Sequence, residues 1–139
     1  MRARETAEPL KLPIRLDERW TELDYGEWDE LPINEITSDQ WAQWRSDSTF
    51  APPGGESLAA LDERVVEACN DLLAEASELN VAVFTHVSPI KSAIAWALGV
   101  EEQISWRLQV GQAQISRIVV REGRPLLTSF NETSHLMSS

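Results

Sequence analysis

Residues 81–91 have the sequence VAVFTHVSPIK, an apolar run that ends in a histidine. Such a run after a long amphipathic segment predicts a buried parallel strand over residues 81–85. Ser88 and Pro89 are a good N-cap and N1 pair, so we predict a helix from there to about Leu98, ended by Gly99. His86 then lies between the end of a strand and the start of a helix, where open α/β sheets bind ligands.

This junction suits anion chemistry. A helix N-terminus presents free backbone N–H groups and the positive end of the helix dipole, which favour phosphate and other anions. A histidine beside it can donate to a phosphoryl oxygen or exchange a proton near neutral pH. A second interpretation stays equally open from this segment alone, in which His86 only caps the helix or satisfies a nearby carbonyl.

The flanking segments predict the remaining elements. A Pro-Pro-Gly-Gly sequence at 52–55 marks a turn, and Ser57 is the expected N-cap of a long amphipathic helix over about 58–79. Residues 2–10 predict a short helix ended by Pro9, and residues 33–45 predict two short helices broken near 37–38. Alternation around the turn at 122–125 predicts a β-hairpin within 105–130. This order predicts an α/β domain with a mixed sheet.

Composition narrows the class of partner. The 139 residues carry a formal net charge of -11, which argues against binding nucleic acid or an anionic membrane. No apolar run is long enough to span a bilayer, and the charged start lacks the apolar core of a signal peptide. Cys69 is the only cysteine, so no internal disulfide can form and a cytoplasmic location is expected. The six tryptophans are expected in the core rather than on a ligand-stacking surface.

Other titratable residues are less informative by themselves. Glu22 lies in a loop between apolar residues, and in so acidic a chain a lone carboxylate is more often solvated. Arg2 alone indicates little, and His135 lies in a polar tail where a structural or exposed role is expected. No Cys/His metal spacing, Walker loop or nucleophile elbow is present.

Four short motifs, taken in order, resemble the histidine phosphatase superfamily, close to its phosphoglycerate mutase and broad-specificity phosphatase branch. They are RARETA at 2–7, ELDYGEW at 22–28, PGGES at 53–57 and THV at 85–87. The resemblance implies a three-layer α/β/α fold with a mixed, mostly parallel sheet. It also implies roles for four residues: Arg2, His86 and the Val87 amide contact the phosphoryl group, and Glu22 is the acid/base.

The activity implied is hydrolysis of a small phosphorylated metabolite through a phosphohistidine, with no metal or other cofactor. Phosphatase activity is favoured over mutase activity. Val87 stands where the family usually has glycine. The family's first strand ends in Arg-His-Gly, whose histidine is the nucleophile, whereas both histidines here follow Thr85 and Ser134. Residues 1–139 are therefore expected to form a partial domain, the C-terminal two-thirds, without the first strand and helix.

The absence of an Arg-His-Gly sequence leaves three hypotheses. The first is a fragment of a phosphatase, itself with little or no activity. The second is a non-catalytic remnant that binds a phosphorylated ligand, and the third is an acidic interaction domain. An unpaired sheet edge beside residues 81–84 would favour aggregation or pairing with another chain, as in a homodimer.

Overall fold

Four α-helices and one β-hairpin make up the regular structure of residues 2–137, the part of the chain that the computed structural model describes, apart from the side chain of Ile33. The helices are α1 (Arg2–Ala7), α2 (Ser38–Ser46), α3 (Leu58–Glu78) and α4 (Val87–Leu98), and the strands are β1 (Ile115–Arg121) and β2 (Arg124–Glu132). Short 3-10 helices connect them. No helix in this part of the chain is long and apolar enough to cross a membrane.

The long helix α3 forms as its sequence predicts. The Ser57 hydroxyl accepts a hydrogen bond from the Ala60 N–H, which satisfies one of the free amides of the first turn. Its buried stripe has helical spacing and consists of Leu58, Leu61, Val65, Ala68 and Cys69. The stripe covers only the N-terminal part of the helix, because its last buried residue is Cys69.

The core is aromatic and lies against this stripe. Trp28 and Trp44 are buried with Leu23, and Trp41 and Phe50 pack around them. The expected core role of the tryptophans is thus confirmed at Trp28 and Trp44. At Trp106 it is not, since that residue is 36% exposed.

The predicted hairpin is confirmed at its turn, but its predicted start is wrong. Glu122 and Gly123 have φ values of 52° and 73°, so both central turn residues adopt the positive φ that a tight hairpin requires. Arg121 and Arg124 pair across this turn. The predicted extended region from residue 105 begins instead as a 3-10 helix, Glu102–Arg107.

The predicted buried strand over 81–85 is not observed. Residues 80–86 form neither helix nor strand, and Val83 is 42% exposed. A strand exists only with a partner for its backbone groups, and the only ladder among residues 2–137 joins β1 to β2. The fold is a mixed α/β arrangement whose described sheet has two antiparallel strands.

Candidate functional site

The helix that follows His86 begins earlier than predicted. Its first residue is Val87, and its N-cap is His86, with extended backbone at φ -118° and ψ 177°. The predicted N-cap at Ser88 and N1 at Pro89 are therefore wrong by two residues. The predicted end is confirmed, because Gly99 is the C-cap and has φ 65°.

The Glu22 carboxylate caps this helix from a distant part of the chain. Its Oε2 accepts a hydrogen bond from the Val87 N–H at 3.1 Å, and its Oε1 accepts one from the Ser88 N–H at 3.1 Å. The Leu23 N–H donates to the same Oε1 at 2.8 Å. The first amides of a helix have no acceptor within it and lie at its positive end, so a carboxylate is well stabilised there. The start of α4 thus binds an anion, which here is part of the protein.

Two of the sequence motifs interlock to position Glu22. The Glu27 N–H donates to the Pro53 carbonyl at 2.9 Å, and the Glu56 N–H donates to the Asp24 carbonyl at 2.7 Å. The backbones approach so closely at Gly26, φ 54°, that a Cβ there would collide with the Pro53 carbonyl and the Gly55 N. Glycine is needed at position 26 for its conformation and for its lack of a side chain.

Arg64 in α3 fixes the backbone that leads into Glu22. Its Nε and Nη2 bind the two Glu56 carboxylate oxygens at 2.7 and 2.8 Å, and its guanidinium also donates to three carbonyls, those of Arg19, Thr21 and Glu22. The planar guanidinium suits such a convergent set of acceptors. This positioning residue was missed in the sequence. Its spacing carried a signal: Arg64 follows the buried Leu61 by three residues, so it lies on nearly the same face of α3.

Thr85 and His86 complete the junction. The Thr85 hydroxyl donates to the Trp20 carbonyl at 2.5 Å, which ties the segment before α4 to the segment before Glu22. The His86 side chain is half-buried, and within residues 2–137 its imidazole has no hydrogen-bond partner. Neither ring nitrogen is therefore committed to a hydrogen bond within the described part of the chain.

The structure brings together Glu22, His86 and Val87 but does not join Arg2 to them. Arg2 is exposed at the start of α1, and no hydrogen bond or ion pair in the described part of the chain connects its guanidinium to Glu22 or His86. Val87 has ordinary helical backbone, so the site does not need glycine at that position. His135 contacts the Ala113 carbonyl at 2.9 Å, which agrees with its expected structural role.

Two further polar side chains lie next to the start of α4. The Lys91 ammonium donates to the Ser105 carbonyl at 2.9 Å, and burial lowers the pKa of Lys91, although the negative charge of Glu22 acts in the opposite direction. Burial raises the pKa of the Tyr25 hydroxyl, which the neighbouring Ser88 side chain partly offsets. Neither residue was singled out in the sequence.

Comparison with known proteins assigns the chain to a family. The sequence profile of the histidine phosphatase superfamily (branch 1) matches residues 1–133. The chain belongs to the histidine phosphatase superfamily. The family resemblance drawn from the four motifs is thereby confirmed.

Relatives of this histidine phosphatase chain include proteins of known structure. A mutant of phosphoserine phosphatase from Entamoeba histolytica, crystallised with phosphoserine, is 27% identical and has a TM-score of 0.86 over 98% of this chain and 72% of its own. Phosphoserine phosphatase 1 of Hydrogenobacter thermophilus is 27% identical over 96% of this chain and 65% of its own length. A bifunctional protein of Mycobacterium tuberculosis is 28% identical over 94% of this chain. This chain spans only 37% of that protein's length.

Proposed function

We propose that this chain supplies the phosphoryl-binding and acid/base part of a histidine phosphatase domain that hydrolyses small phosphomonoesters. One observation carries the proposal: the carboxylate of Glu22 is bound by the first amides of α4, beside the free imidazole of His86. The site therefore combines an anion-binding helix terminus, a proton-transfer group and a histidine at one place.

In this proposal the phosphoryl group takes the place that Glu22 now holds. The amides of Val87 and Ser88 and the His86 imidazole bind its oxygens, and Arg2 joins them in the complete domain. A nucleophilic histidine attacks phosphorus and forms a P–N bond as the P–O bond breaks, and Glu22, displaced but still adjacent, protonates the leaving oxygen. In the second step a water attacks phosphorus, the P–N bond breaks and releases the histidine, and the Glu22 carboxylate takes the proton of the water.

The nucleophile has to come from outside these 139 residues. Neither His86 nor His135 follows an arginine, so no Arg-His-Gly sequence is present. We treat residues 1–139 as a partial domain, in which residues 81–84 would become a strand of a mostly parallel sheet between two helical layers. The exposure of Val83 supports this assignment. The isolated chain is expected to bind phosphate without turning over a phosphomonoester.

A titration calorimetry experiment with inorganic phosphate tests the proposal on the 139-residue chain. We expect His86→Ala to weaken binding by about tenfold, the size of one charge-assisted contact, while His135→Ala leaves it unchanged. Equal binding by both variants, or no binding by the folded parent chain, would contradict the assignment of this site.

A second function, phospholigand binding without catalysis, is favoured by the presence of Glu22 and His86 in a chain with no Arg-His pair. Hydrolysis of an aryl phosphate separates the two, once the chain is extended with the preceding codons of its gene. Turnover that depends on Glu22 supports the phosphatase. Phosphate binding without turnover in the extended protein supports the binding module. The interaction-domain hypothesis predicts neither turnover nor phosphate binding.

The proposed setting is the cytoplasm, with a small phosphorylated metabolite as the partner. Cys69 is buried, and burial raises the pKa of its thiol to about 12, so it stays protonated and unreactive. The net charge of -11 supports a small-molecule partner rather than nucleic acid.

A further inference from the structure

A cavity of about 440 Å³ lies beside the 3-10 helix Glu102–Arg107, and Arg45 from the last turn of α2 forms part of its wall. This volume falls in the range of about 300–1,000 Å³ that is common for small-ligand pockets. The described residues that line the cavity include neither Glu22 nor His86. The cavity is therefore a separate feature from the proposed catalytic site.

Two arginines of the cavity wall have no acidic partner in the described part of the chain. Six of the ten arginines in the sequence form ion pairs with carboxylates there, whereas Arg45 and Arg107 form none. A guanidinium stays charged and carries five N–H donors, so it needs acceptors. In a chain with 23 acidic residues, two such arginines at one cavity indicate a site for an anion from outside the chain.

Aromatic rings hold the Arg45 guanidinium at this wall. Its central carbon lies 5.7 Å from the centroid of the Trp41 ring and 6.0 Å from that of Trp106. Trp106 is positioned in turn by an edge-to-face contact with the buried Trp44, with the ring centroids 5.2 Å apart. A cation over an aromatic face is stabilised without using its N–H groups as donors to an acceptor atom. Because Trp106 also lines the cavity, this contact leaves a fixed positive charge at its edge.

The rest of the wall limits the kind of anion. Val100, Ile104 and Trp106 add apolar surface. Glu101 also lines the cavity, and in residues 2–137 it forms no ion pair with either arginine. A carboxylate in the wall repels a phosphate group, which carries a charge of about -1.5 to -2 at pH 7, more strongly than it repels a singly charged carboxylate. The wall thus favours carboxylates on an apolar body over phosphate.

We infer that this cavity binds a small dicarboxylate, with one carboxylate at each of the guanidinium groups of Arg45 and Arg107 and the apolar body against Trp106. The fork of N–H donors on a guanidinium matches the two oxygens of a carboxylate. The inference goes beyond the proposed function and does not depend on it, because the described wall contains none of the residues assigned to phosphoryl binding.

Titration calorimetry of the 139-residue chain at fixed ionic strength tests this site with three probes of one shape. Isophthalate is a flat ring with two carboxylates, benzoate has one carboxylate, and isophthalamide has two uncharged amides. We expect isophthalate to bind about tenfold more tightly than benzoate, since one charge-assisted contact distinguishes them. Isophthalamide should bind more weakly than either.

Substitutions identify the residues responsible. Arg45→Met and Arg107→Met should each remove the preference for isophthalate over benzoate, because only one guanidinium then remains. Arg121→Met is the matched control, since Arg121, at the end of β1, also has no acidic partner among the described residues. His86→Ala should leave isophthalate binding unchanged. If Arg45→Met does not fold, the Arg107→Met result decides alone.

The controls separate failure of this inference from failure of the proposed function. Equal affinity for isophthalate and benzoate, or an equal loss of preference in Arg121→Met, overturns the cavity assignment. Loss of isophthalate binding in His86→Ala also overturns it, because the dicarboxylate would then occupy the start of α4. Isophthalate binding that depends on Arg45 and Arg107, with no binding of inorganic phosphate, supports the cavity assignment and contradicts the proposed function alone.

Discussion

At the scale of single residues, the position of Glu22 leads to an unusual expectation for an acid/base group. Its carboxylate binds the amides of Val87 and Ser88, and in the proposed function it would compete with a phosphoryl group for them. Glu22→Ala should therefore strengthen binding of inorganic phosphate, by about three- to tenfold, because it frees two donors and removes a negative charge. Calorimetric titration measures this, and Glu27→Ala, which removes an exposed charge of the same loop, should change little. Weaker binding by Glu22→Ala would refute the competition.

Asp62 makes stability depend on pH in a direction opposite to that of most carboxylates. Burial raises its pKa above 3.8, and the hydrogen bond from the Ser92 hydroxyl only partly offsets this. The folded state thus holds the proton more tightly, so the contribution of Asp62 is favourable below pH 3.8 and is lost as pH rises through the folded-state pKa. Asp62→Asn should be more stable than the parent at pH 7, by up to about 1 kcal/mol, and this gain should shrink toward pH 3.5.

Urea unfolding at several pH values measures that difference, and Asp47 supplies a control of opposite sign. The Thr49 side chain lowers the pKa of Asp47, so its contribution is present above pH 3.8 and is lost as pH falls. Asp47→Asn should therefore be less stable than the parent at pH 7 and approach it in acid. A loss of stability at pH 7 in Asp62→Asn would contradict the role of burial.

At the scale of elements, the contact between the two glycine-containing loops holds the site in place. Gly26 and Gly54 both have positive φ, 54° and 70°, but only Gly26 has backbone atoms where a Cβ would lie. Gly54→Ala should cost about 1 kcal/mol of unfolding free energy from its backbone conformation alone. Gly26→Ala should cost at least about 3 kcal/mol, because the Pro53 carbonyl must also move. Chemical denaturation of both variants checks this, and equal losses would show that the loops are not in close contact.

The sequence was sufficient for elements whose signals are local. Ser57 and the apolar spacing after it predict α3, and Gly99 predicts the end of α4, because caps and periodicity involve neighbouring residues. The start of α4 was predicted wrongly because its N-cap residue is His86, and the side chain that accepts from its first amides belongs to Glu22, 65 residues away from Val87. Arg64 was missed for a related reason, since its carbonyl partners belong to a different loop.

At the scale of the whole molecule, the difference between local signals and partners distant in sequence also explains the sheet. An apolar run at 81–84 indicates a strand, but a strand forms only when another segment pairs with it. The family and the order of its motifs were evident from the sequence. The interlocking of residues 22–28 with residues 53–57, which positions Glu22, became evident only from the backbone contacts between them.

Exposed apolar side chains along two segments predict how the 139-residue chain behaves in solution. Leu12 and Leu16 are 65% and 71% exposed, and Leu79 and Val83 are 64% and 42% exposed. The Arg15 guanidinium binds Glu75 in the last turn of α3, so the segment that contains Leu12 and Leu16 contacts the end of that helix. Monomeric proteins rarely expose this much apolar surface in one region, and unpaired backbone near it favours association.

We therefore expect the chain to self-associate, with a mass by light scattering that rises with concentration across the micromolar range. Val83→Lys should shift the chain toward the monomer, because a charge in this segment opposes both apolar contact and strand pairing. Leu31→Lys is the matched control, since Leu31 is also exposed, at 39%, but lies outside both segments. A monomeric parent chain at all concentrations, or equal effects of the two substitutions, would show that these segments do not mediate association.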